Sequence, residues 1–197
     1  MGKYTIFSDV GKTIVNMLKA EIVPEPLAKP ENIGICAPND RGNFVVGIHL
    51  YDFKENNEMG MLEPIRLKNG YIKNAPKSYQ LSFLVSVSSK AESMVKALEE
   101  SRIIGRILQV FNDNNILPSK YMPESLRETG ESIAISMVPL EMEEKIKIWS
   151  LFNEPYKQSL FFQVGPVLLD SAIIKVPATR VKTIELTDDQ IREKEGV

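Results

Sequence analysis

Residues Lys147–Ser171, KIWSLFNEPYKQSLFFQVGPVLLDS, join a helix end, a proline-marked turn and a long strand in one uninterrupted run. The helix begins just upstream: Glu141–Phe152 places Met142, Ile146 and Trp149 at i, i+4 and i+7, which predicts one apolar stripe facing a core. Pro155 disfavours helical backbone at Glu154 and ends the helix there. From Lys157 the period drops to two. Leu160, Phe162, Val164 and Leu168 then share one face, and Ser159, Phe161, Gln163, Val167 and Leu169 share the other. Large apolar residues on both faces predict a strand covered, at least in part, on both sides. Pro166 has no N–H for a ladder, so this strand should lie at an edge or carry a bulge at that point.

The same patterns organise the rest of the chain. Ser8 is suited to cap a first helix whose stripe is Val10, Ile14, Met17 and Leu18, running to about Ala20. Residues 23–30, VPEPLAKP, hold three prolines and predict an extended connector. Ile33–Ala37 is a short strand, followed by the turn cluster Asn39–Asn43. Phe44–Phe53 reads as a strand with Phe44, Val46, Ile48 and Leu50 opposite Val45, His49, Tyr51 and Phe53. Residues 54–78 form an excursion with a candidate hairpin at Lys68-Asn69-Gly70-Tyr71. Tyr79–Val87 alternates cleanly: Tyr79, Leu81, Phe83, Val85 and Val87 inward, with serines and Gln80 on a wetter face. Lys90–Phe111 is the longest helix, with Met94, Ala97, Leu98, Ile104, Leu108 and Phe111 as its stripe, and Ser132–Val138 is a later strand. Interleaved helices and strands predict an α+β or mixed α/β fold, a largely antiparallel or mixed sheet covered by helices on one face. The expected organisation is a single domain over residues 1–175 and a polar arm or tail over 176–197.

Composition narrows the chemistry. The chain has 197 residues, 24 basic and 26 acidic, for a net charge of −2. Interspersed charge gives no positive field for phosphates, so nucleic acid is not an expected partner. No stretch approaches the ~20 apolar residues of a membrane span, and the N-terminus lacks a signal-peptide core. With Cys36 alone no internal disulfide can form, and a reducing cytoplasm is the expected place of folding. His49 is the only histidine, which rules out a histidine cluster for zinc or a two-histidine relay. Cys36 could act as a nucleophile only if His49 activated it, and no local signature supports that. Gly11-Lys12-Thr13 lacks the earlier glycine of a phosphate loop, Ile6 standing in its place. Adjacent Glu99 and Glu100, or Glu143 and Glu144, point in different directions along their helices and make no catalytic dyad. No catalytic residue, cofactor or metal site is expected.

Two blocks carry a family resemblance. The first is the opening stretch itself: a Trp near a helix end, a break, Pro-Tyr, a basic residue, then a strand from Ser to Asp-Ser. The second is residues 79–117, YQLSFLVSVSSKAESMVKALEESRIIGRILQVFNDNNIL, a strand, a polar break and a long helix containing Ile-Gly. With the N-terminal helix, residues 4–175 resemble the cap or tail-terminator proteins of phage-tail-like contractile injection systems. Residues 24–78 and the tail depart from that pattern. The resemblance implies a non-enzymatic cap on the baseplate-distal end of sheath and inner tube, self-associated as a ring, sixfold by expectation, that stops polymerisation. Its partners would be the sheath and tube proteins, with assembly in the cytoplasm before the particle is released or anchored. The alternatives are a terminator or neck protein of a contractile phage tail, or a small ligand-binding domain.

Six residues are candidates for subunit or partner contacts. Ile103, Ile107 and Val110 lie opposite Met94 and Leu98, so the second half of the long helix is apolar nearly all round. Either the chain's own loops cover that face or another subunit does, and Gly105 would admit a close backbone or a kink. Trp149 could be core or an interface anchor. Pro166 marks a strand whose edge could accept another strand.

Overall fold

The computed structural model describes residues 3–57, 62–67 and 70–176. Along the chain run α1 (Ile6–Glu21), β1 (Ile33–Ile35), β2 (Val46–Glu55), β3 (Ile65–Arg66), β4 (Ile72–Lys73), β5 (Lys77–Val87) and α2 (Ser93–Asp113). They are followed by α3 (Glu124–Arg127), β6 (Ala134–Met137), α4 (Met142–Ser150), β7 (Ser159–Leu169) and β8 (Ile174–Lys175). The main sheet has the order β1-β2-β5-β7-β6, parallel only between β1 and β2. It is a mixed sheet in an α+β fold, as its alternating strands and helices predict. A smaller sheet, β3-β4-β8, gathers the excursion and the last described strand. Its hairpin closes where Leu67 N–H donates to Tyr71 O at 2.9 Å, although Lys68 and Asn69 lie outside the described residues. The expected C-terminal arm also lies outside them beyond Val176.

Two apolar layers flank the sheet. On one face α1, the second half of α2 and α3 cover the main core, in which Val10, Ile14, Met17 and Leu18 meet Phe83, Val85, Phe162 and Val164. The helical stripe of α1 is as predicted, but Thr5 precedes the helix and Ser8 sits inside its first turn, donating to Thr5 O. On the other face, Trp149 of α4 is fully buried against Leu84 and Phe161. Its Nε1–H donates to the buried Ser159 Oγ at 3.0 Å, so the ring loses no hydrogen bond on leaving water. Met142 and Ile146, expected to share that stripe, are instead half exposed. With only nine residues, α4 reaches the sheet through its last turn.

Bulges explain where simple alternation fails. Between β5 and β7, Tyr79 pairs with Val167 and Leu81 with Val164, so β7 holds one extra residue at Gly165-Pro166. An extra residue switches every following side chain to the opposite face. Val167 therefore joins Phe162 and Val164 in the main core, and Leu169 packs there too, reversing the faces expected from the sequence. Both readings of Pro166 hold locally: β7 carries the bulge there, and although β7 lies between β5 and β6, its pairing with β6 ends at Gly165, so Pro166 falls on a stretch of β7 with no strand on that side among the described residues. Pro166 comes one residue after Gly165, the last residue paired with β6, and the next outward N–H, that of Leu168, donates to Glu131 Oε2 at 3.2 Å. A Cβ on Gly165 would come within 2.4 Å of Gln80 Oε1, so the bulge takes glycine. A second bulge at Tyr51 in β2 turns Phe53 toward Phe7, ring centroids 5.5 Å apart.

One buried carboxylate joins the helices of the main layer. Asp9 accepts from Thr5 Oγ1 at 2.9 Å and Ser125 Oγ at 2.8 Å, and pairs with Lys12 Nζ at 3.3 Å. Burial alone would raise its pKa, but the three donors outweigh it and hold the carboxyl below its ordinary 3.8.

A folded-state pKa below the unfolded value means that ionised Asp9 stabilises the fold above pH 3.8 and that this contribution is lost as pH falls through the depressed value. Asp9→Asn should therefore unfold earlier in urea at pH 7, with the gap to the wild type narrowing toward pH 3. For the second layer, Trp149→Ala should cost about 3–5 kcal/mol, read from urea midpoints at constant m.

Candidate assembly interface

The structure separates the six candidate interface residues. Ile103, Ile107 and Val110 are buried in the main core together with α1, and Arg106 ties α2 to the end of α1 by donating to Glu21 O at 2.9 Å. The chain covers that face itself, and none of the three is open to a partner. Trp149 is core in the same way. Gly105 is exposed with open space where a Cβ would stand, and Pro166 is partly buried within the bulge.

The exposed part of α2 is its first half, where the apolar stripe of Met94, Ala97 and Leu98 was expected to face inward. Met94 is 97% exposed and Leu98 56%, with Val95 beside them. The helix meets the core only from Ile103 onward, so the stripe of its first two turns projects past the sheet. Beneath it an open hollow of about 620 Å³ runs between Val95, Leu98 and Arg102 on α2 and Glu25-Pro26 in the connector. Just before α2, Ser89 N–H donates to Glu100 Oε1 at 2.9 Å and Ser89 Oγ donates to Glu99. These two carboxylates fix the entry to the helix and are not merely solvated. A second apolar strip, Met137, Met142, Ile146 and Leu151, lies on the outer side of α4 and the β6 edge.

The polar side chains make no reactive centre at the one place where a thiol and an imidazole approach each other. Burial pushes the Cys36 thiol up, away from the thiolate, despite the nearby Arg41. Burial likewise lowers His49 and outweighs a hydrogen bond to the Cys36 backbone; its ring stands edge-on to Phe152 at 5.2 Å. Arg41, which sequence reading missed, donates to Val45 O and Ser86 O, both at 3.2 Å, and to Ser86 Oγ at 2.5 Å. It clamps the 40–45 turn onto β5. Only its place in a turn cluster was visible beforehand. Among the described residues no group of His, Cys, Asp or Glu side chains could hold a metal ion, and no helix is long and apolar enough to cross a membrane.

This architecture has known counterparts. The family model for the Pvc16 N-terminal domain matches residues 9–183. A cryo-EM structure of an extracellular contractile injection system, the PVC sheath/tube terminator in its extended state, superposes with a TM-score of 0.59 at 17% identity. The match covers 98% of this chain and 71% of that one. The anti-feeding prophage cap, a tube terminating cap also solved by cryo-EM, gives a TM-score of 0.61 at 16% identity over 91% of this chain and 60% of the other. At these identities the shared feature is the fold. No curated protein sequence matches the chain.

Exposure and burial along α2 predict opposite outcomes for similar substitutions. Met94→Asp with Leu98→Asp should leave the melting curve within the range of surface changes, about 0.5 kcal/mol, while weakening any self-association seen by light scattering. Ile107→Glu, which puts a charge into the core, should abolish cooperative unfolding.

Proposed function

The chain belongs to the Pvc16 N-terminal domain family, and from that membership we propose that it terminates the tube and sheath of a contractile injection particle. The observation that carries this reading is the match of nearly the whole chain, in family and in fold, to proteins described as sheath/tube terminator and tube terminating cap. The mechanism is passive and structural, with no bond made or broken. A subunit set that presents one face matching the last tube and sheath layer, and another face with no template for the next layer, halts growth at a finished length.

Self-association into a closed ring would match the rotational symmetry of the polymer beneath, and sixfold is the expected number. Sheath and inner-tube proteins are the partners, met during assembly in the cytoplasm before the particle leaves or is anchored. The exposed stripe of Met94, Val95 and Leu98 and the strip around Met142, Ile146 and Leu151 are the apolar areas available for those contacts. Charge is too evenly mixed to draw the protein to nucleic acid or an anionic membrane.

Removing the gene from its native host and measuring particle lengths by negative-stain microscopy tests this reading. Loss of the cap should give rods of scattered or excessive length, with a narrow distribution restored by the wild-type chain. A tagged copy should be labelled at one end of sheathed rods. Unchanged lengths and unlabelled ends would refute the proposal.

A further inference from the structure

We propose that the groove between α1 and β1 accepts the C-terminal segment of a second copy of this chain as an added strand. Among the described residues the main sheet ends at β1, with no strand beyond it. Asn32 O accepts from Val45 N–H at 2.8 Å and Cys36 N–H donates to Ile48 O at 3.1 Å, so the even-numbered residues here face β2. By alternation the N–H and C=O of Ile35 and the C=O of Ile33 face outward, while the Ile33 N–H is already taken up by Pro30 O. Alongside this edge runs an open groove of about 460 Å³, walled by α1. Its apolar floor is formed by Val15, Ile35 and Phe44, Ile35 being 51% exposed, while Lys12 and Lys19 stand along the helix rim and Glu31 at one end. The Phe44 ring lies so close over Gly34 that a Cβ there would approach it to 2.3 Å, so this edge strand is kept thin. An edge strand beside a helix, with an apolar floor, is the geometry that takes an extended peptide by main-chain pairing.

The sequence of the chain offers a matching occupant. Residues 181–189, VKTIELTDD, are rich in β-branched residues and put Ile184 and Leu186 on one side, while Glu185, Asp188 and Asp189 are acidic. Apolar residues suit the floor and carboxylates suit the lysine rim. A second copy supplies the segment, since a ring is closed only by contacts between neighbours. β1 lies against Val46–Ile48, whereas Val176 follows β8 in the small sheet, beyond the Glu55 end of β2. Pairing of this kind is head-to-tail, and it closes a ring when the rotation between neighbours permits. The proposal rests on the self-association part of the terminator reading, and its test uses the purified full-length chain without tube or sheath.

In a Cys36→Ser background, one copy carries Lys19→Cys with one tag and another carries Glu185→Cys with a second tag. Mixing and oxidising the two should give a disulfide-linked species bearing both tags. Ile35→Pro, which removes an outward N–H and leaves the β2 ladder intact, should reduce that product at least tenfold. Should Ile35→Pro fail to fold, Ile184→Asp in the tail tests the same fit from the other side and should give the same loss. No two-tag product, or one that persists at wild-type level in either variant, would overturn the proposal. A disulfide that forms only when both cysteines share one chain would do so as well. Rod-length measurements judge the terminator reading separately, since a cap whose tail stays out of the groove would still restore narrow lengths.

Discussion

Phe161 and Phe162 are neighbours on one central strand, and their rings point to opposite faces of the sheet, each fully buried. Leaving either side in water would forfeit the burial of an aromatic side chain, worth roughly 1.5–3 kcal/mol. The chain therefore needs cover on both faces of β7. On one side α1, α3 and the second half of α2 provide it; on the other a single turn of α4 does, through Trp149. The hydrogen bond from Trp149 to Ser159 places that turn directly over the start of the strand it covers. The break at Pro155 is the short return that brings helix and strand together.

Much of the molecule's apolar surface stays outside. Among the described residues nothing covers the outer side of α4, the first two turns of α2 or the β1 edge. Exposed apolar areas of this kind are buried when a subunit meets a partner. The opposite side of the sheet is treated differently. There β6 covers only the first part of β7, and beyond it Pro166 lacks an N–H while Glu131 takes up the one offered by Leu168. That stretch is closed to strand addition, and the outer side of β6 is partly taken up by residues 115–117, Ile135 N–H donating to Asn115 O at 2.8 Å and Leu117 N–H to Ile133 O at 2.9 Å, so among the described residues β1 is the more open edge of the main sheet.

Electrostatics plays a joining role throughout. Asp9 links α1 to α3, Arg41 holds a turn to β5, and Lys73 pairs with Asp170 at 2.8 Å between the small sheet and the end of β7. Each partly buried charge is satisfied by donors or acceptors from another element, as groups withdrawn from water require.

The chain by itself determined its element types, the mixed sheet, the absence of a histidine or cysteine pair able to do chemistry, and the family likeness, because these depend on local periodicity and on residues present or missing. The stripes of α1 and the alternation of β5 were legible, since both elements lie against the core along most of their length. Tertiary structure decided which face of α2 is the core, which edge of the sheet is open, and on which side Phe53, Val167 and Leu169 lie. A stripe of Met94 and Leu98 is the same in sequence whether or not the sheet extends beneath it. One extra residue at Gly165-Pro166 leaves local propensity unchanged yet reverses every side chain after it. Those outcomes depend on where neighbouring strands end, and a one-dimensional pattern does not contain that information.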